Sequence, residues 1–174
     1  MINRKTLFAT ACAFQTCAVL FLAIPPALTL SNGKTITVMT EPVDPQDMFR
    51  GDYIRLGYGF SQVPSKEKFD YKSKVFVRLK QDADKQWKPI GASNIKPAPA
   101  PDEVVLLGEY EWKDDNDRVR VRYGIEQVFV PEGRGKNISS ADKLEIELAV
   151  PDSGRAVIKR AQLGDDVLYQ WRWI

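Results

Sequence analysis

Residues 41–60, EPVDPQDMFRGDYIRLGYGF, decide how the chain is read, because a turn-forming half meets a strand-forming half inside them. Asp44 carries an N-cap side chain, Pro45 suits a first helical position, and Asp47 stands where a carboxylate favours a helix N-terminus. Val43 and Met48 occupy the positions of a hydrophobic staple, and Gly51 can close the turn in a left-handed conformation. The first half therefore predicts a single capped helical turn. After Gly51 the period switches to two, with Ile54, Leu56, Tyr58 and Phe60 on one face of a strand and Tyr53, Arg55, Gly57 and Gly59 on the other. The first face is the expected core. The second, bare at its two glycines, suits a bulge, a close neighbouring backbone or a docking surface.

The same alternation recurs downstream. Residues 35–40, 74–80 and 143–150 read as strands, residues 155–163 complete a last hairpin, and residues 104–112 and 119–130 form the clearest hairpin, joined by the turn formers KDDNDR at 113–118. The expected fold is an all-β domain, a sandwich or barrel-like antiparallel sheet. KDDNDR lacks the glycine and closing glutamate of an EF-hand loop, so it reads as a solvated turn and not a calcium site. Residues 96–102, KPAPAPD, suit a rigid extended connector. In the second arm of the hairpin Arg118, Arg120 and Arg122 share one face, a ladder whose guanidinium groups match phosphate or carboxylate. Glu109 and Glu111 on the first arm could equally pair with it across the sheet. The aromatic end, YQWRWI at 169–174, could pack on the domain, sit at a membrane interface or mediate a contact.

Upstream, residues 6–31 hold no charge, and residues 7–24 would span about 27 Å as helix, enough for a bilayer core of about 30 Å. Pro25 and Pro26 mark the expected end of this helix. The apolar run is longer than a signal-peptide core and lacks a small-x-small cleavage site, so it reads as an uncleaved anchor rather than a cleaved signal. Arg4 and Lys5 before it place the N-terminus in the cytoplasm by the positive-inside rule, and residues 32–174 outside, in a periplasmic or other extracytoplasmic space. The division is thus residues 1–31 as a single-pass anchor and 32–174 as the β domain.

Composition narrows the chemistry. Histidine is absent, and both cysteines, Cys12 and Cys17, lie inside the apolar run, so the polar domain lacks the commonest general base, a thiol nucleophile and the usual transition-metal ligands. No metal and no cofactor are expected. Of 25 basic residues only Arg4, Lys5 and Lys34 fall in the first 34 positions, which hold no acid, leaving 22 basic against 23 acidic residues in a nearly neutral remainder. Nucleic-acid binding, which needs clustered Lys and Arg, is not expected.

The octapeptide Gly51-Asp52-Tyr53-Ile54-Arg55-Leu56-Gly57-Tyr58 resembles the signature of the bacterial GDYxxLxY proteins, a family of membrane-anchored proteins of uncharacterised function. Residues 42–45 and 49–50, residues 122–126 (RYGIE) and residues 129–133 (FVPEG) are similar to that family as well. Such proteins occur beside multi-spanning membrane proteins, so the resemblance implies an accessory role and supplies no catalytic residue. The expected function is a non-enzymatic, membrane-anchored accessory or interaction protein. One alternative is a binding module for a glycan, a lipid headgroup or another anionic envelope ligand. Another is an acid-base enzyme using Asp44, Asp47 and Asp52 with Arg50. Capping already accounts for Asp44 and Asp47, Leu56 and Tyr58 for core; Asp52, Tyr53 and Arg55 remain as the candidate functional surface.

Overall fold

The computed structural model describes residues 3–41, 53–130 and 143–171. The turn predicted around Asp44, Pro45, Asp47 and Gly51 lies outside them, as does Asp52. The chain opens with helix α1 (Arg4–Asn32), N-capped by the Asn3 side chain, which accepts from the Lys5 N–H at 3.2 Å. Among the described residues nothing packs against its apolar stretch, and Leu7, Phe8, Phe14 and Phe21 are all exposed. The helix is long and apolar enough to cross a membrane.

The double proline does not end it, contrary to the sequence expectation. Two backbone donors are lost there, yet α1 continues to Asn32 because its last turn has other support. Leu30 is buried against the domain, and the Gly33 N–H donates to the Thr29 carbonyl at 2.8 Å. Asn32, expected to open the β domain, is helical with Ser31.

Strand β1 (Lys34–Glu41) follows directly, alternating buried Ile36, Val38 and Thr40 with exposed neighbours. Next come β2 (Tyr53–Arg55), β3 (Gly57–Tyr58), β4 (Gln62–Pro64), β5 (Lys74–Gln81), β6 (Trp87–Ser93), β7 (Glu103–Lys113) and β8 (Arg118–Arg122). The last are β9 (Gln127–Phe129), β10 (Glu145–Val150), β11 (Val157–Leu163) and β12 (Asp166–Gln170). They build an antiparallel sheet in the order β12-β11-β10-β1-β3, a second in the order β4-β8-β7-β5-β6, and the pair β2-β9 between them. The result is a nearly closed, barrel-like wrap around one core. β4 and β6 approach at one end, where Ser65 Oγ donates to the Ala92 carbonyl at 3.1 Å. The two large sheets are stitched by the Leu107 N–H donating to the Gly154 carbonyl at 2.8 Å. Gly154 has φ +84°, and a Cβ there would lie 2.9 Å from the Val105 carbonyl, so only glycine fits both the turn and the approach.

Three expectations are refined. The strand after Gly51 is split at Leu56, its first part pairing with β9 and its second with β1, because the chain crosses from one part of the wrap to another. The second hairpin arm is interrupted at residues 123–126, where Gly124 turns with φ +82°. Residues 166–170 form an edge strand on β11, with Leu168 buried; of the aromatic end, Tyr169 packs partly against the core.

Candidate functional site

The signature strand and the RYGIE segment are one device. Tyr58 Oη donates to the Ile125 carbonyl at 2.8 Å, and Tyr123 Oη donates to the Phe60 carbonyl at 2.6 Å, so each segment's tyrosine closes a buried backbone acceptor of the other. Tyr58 and Phe60 stack with ring centroids 4.9 Å apart, and Tyr123 meets Phe60 edge-on at 5.4 Å. The Leu56 N–H donates to the Glu126 carbonyl at 2.8 Å, and β2 pairs with β9 in the register Tyr53↔Phe129, Ile54↔Val128, Arg55↔Gln127. Glu126 holds the intervening turn, its carboxylate accepting from the Tyr123 and Gly124 N–H groups at 2.6 and 2.8 Å. Burial, reinforced by the nearby Glu126 charge, pushes both phenols well above the ordinary tyrosine range, so they stay protonated donors. Leu56 and Tyr58 are core, as their alternation predicts.

Residues 15–160, which include both locked segments, match the model of the GDYXXLXY protein family. The chain belongs to the GDYXXLXY family. No curated protein and no solved structure matched it. The GDYXXLXY signature thus contributes Tyr58 and Leu56 to packing. Of the other residues singled out in it, Arg55 is exposed on β2 and Tyr53 pairs through its backbone with Phe129.

Two arginines of the ladder, Arg120 and Arg122, are paired across the sheet. Arg122 Nη2 lies 2.9 Å from Glu109 Oε2 and its Nε 3.5 Å from Glu111 Oε1, while Arg120 Nε lies 3.8 Å from the other Glu111 oxygen. A bulge in β7 between Tyr110 and Trp112 lets Glu111 reach both arginines. Arg118 is exposed beside the KDDNDR turn, whose Asp114 carboxylate accepts from the Asn116 and Arg118 N–H groups. Beyond the ladder, a polar cleft of about 660 Å³ gathers Lys72, Lys74, Arg122 and Arg155 with Glu109 and Glu126.

A second concavity, of about 820 Å³, opens between β1 and the start of β6. Val38 and Phe60 contribute core side chains to its lining; Trp87 and Pro89 come from β6, and Glu41, Lys88 and Lys143 supply the charge. Sequence reading missed it, because its two walls lie about fifty residues apart in the chain. The signal available was the run of residues 35–39, strongly β-prone and free of proline and charge.

Proposed function

We propose that this GDYXXLXY protein is a non-enzymatic accessory protein, anchored by α1 as a single-pass span with its N-terminus cytoplasmic, whose β domain engages a multi-spanning membrane protein on the far side. The supporting observation is the junction: an apolar helix that the described residues leave uncovered runs through Gly33 directly into β1, its last turn packed against the domain. A domain so held stays at high effective concentration beside anything in the same bilayer. Extraction of the full-length protein in mild detergent after crosslinking is expected to recover it with a membrane-spanning partner. Recovery as a free monomer alone would overturn the proposal.

A second reading, a module for a glycan, lipid headgroup or other anionic ligand, draws on the cleft holding Lys72, Lys74, Arg122 and Arg155. Two of the ladder's arginines, Arg120 and Arg122, already have carboxylate partners, which favours the accessory role. Salt-sensitive binding of anionic vesicles that Arg155→Glu abolishes would support the cleft instead.

A further inference from the structure

The Thr40 N–H donates to the Leu144 carbonyl, so the even-numbered residues of β1 turn their backbone groups toward β10. By the alternation of an antiparallel ladder, Thr35, Thr37, Met39 and Glu41 turn theirs to the opposite edge. There Glu41 stands opposite Gly57, and among the described residues no strand pairs with Thr35, Thr37 or Met39. Strand edges left this way accept another strand, and proteins usually blunt them. Pro89 and Lys88 blunt the facing edge of β6; residues 35–39, TITVM, have no such device.

We propose that β1 receives a short extended segment of a membrane-spanning partner as an added strand along residues 35–39. This rests on the accessory reading and names its contact. The free edge is five residues long, about 17 Å at ~3.4 Å per residue. It is bounded at one end by the Glu41–Gly57 pairing. At the other, Lys34 Nζ bonds the Pro101 and Glu103 carbonyls at 3.4 and 3.3 Å and lies 5.6 Å from the centre of the Trp87 ring. The edge faces the start of β6 across a concavity of about 820 Å³, and a second copy's β1 would bring its own sheet with it. Lys88 and Lys143 against Glu41 favour acidic residues flanking the incoming segment. Because β1 starts immediately after Gly33, the edge lies at the foot of the domain beside the anchor, within reach of a juxtamembrane segment. Main-chain hydrogen bonds supply the attraction, and the alternate side chains select the sequence.

The test uses the full-length protein in detergent micelles and a synthetic peptide of alternating threonine and valine with two acidic residues at each end. A second peptide, N-methylated on every internal amide, carries the same charge but presents no N–H on either edge and cannot complete a ladder. The first is expected to slow amide exchange at Thr35, Thr37 and Met39 at least tenfold and to bind at least tenfold tighter than the second. Thr37→Pro should remove that advantage while sparing the β10 ladder, to which the Thr37 N–H does not contribute. Should that variant misfold, Lys143→Glu keeps the test alive, with a severalfold loss of binding expected. Equal binding of the two peptides, or high-yield disulfide-linked dimers of T37C, overturns the inference, the latter in favour of a second copy. Absence of peptide binding while co-purification persists removes the edge and leaves the accessory role standing. Peptide binding without any co-purifying protein removes the membrane-spanning partner.

Discussion

Tyr58 and Tyr123 show what the signature does for the fold. Tyr58→Phe keeps the ring stack but strands the Ile125 carbonyl in the interior, and should cost about 1–3 kcal/mol in denaturant unfolding. Tyr123→Phe should cost a similar amount through the Phe60 carbonyl, with the pair non-additive in a double-mutant cycle because both act on one seam. Their ionisation has a pH consequence. The folded phenols titrate above the unfolded value of about 10, so their contribution is complete below that value and declines as the pH climbs past it toward the folded pKa. Stability measured against pH should therefore fall above about pH 10, less steeply in the double phenylalanine variant. Period-two alternation made the burial of Ile54, Leu56, Tyr58 and Phe60 legible from the sequence alone. The acceptors of the two hydroxyls were not, since each lies more than sixty positions away and no local pattern encodes a distant register.

At the scale of elements, the seat of α1 depends on Gly33. Its φ of −67° suits any residue, but a Cβ would stand 2.6 Å from the Thr29 carbonyl and 3.0 Å from the Val150 nitrogen. Gly33→Val should thus prise the last helical turn from β10, seen as faster proteolysis at residues 31–34 with little change in helix content. The ladder gives a different expectation. Its pairs are solvent-exposed, so replacing Glu109 and Glu111 by glutamine should hardly move the melting temperature, yet should increase salt-sensitive retention on an anionic surface by freeing Arg120 and Arg122. The cross-strand partnership was visible in the sequence as matched charges on adjoining arms. The overreach of α1 past Pro25 and Pro26 was not, because packing of Leu30 outweighs a local propensity that the dipeptide states clearly. Gly124 was the sole local hint that the second hairpin arm breaks.

For the whole molecule, composition and alternation announced an antiparallel β domain behind an apolar helix, and left sandwich and barrel undivided. What closes the wrap is a handful of contacts between remote segments, such as Leu107 with Gly154 and Ser65 with Ala92, none of which has a periodic signature. Gly154→Ala should accordingly destabilise the domain by more than about 1 kcal/mol, measurable by thermal unfolding. The direct passage from α1 into β1 also fixes an azimuth. A helix advances about 100° and about 1.5 Å per residue, so the compass bearing of the β1 concavity around α1 is written in the number of residues between the helix's apolar stretch and Gly33. If the proposed partner docks there, one alanine inserted after Leu28 should swing the concavity away from it and abolish co-purification, whereas seven, close to two full turns, should restore it.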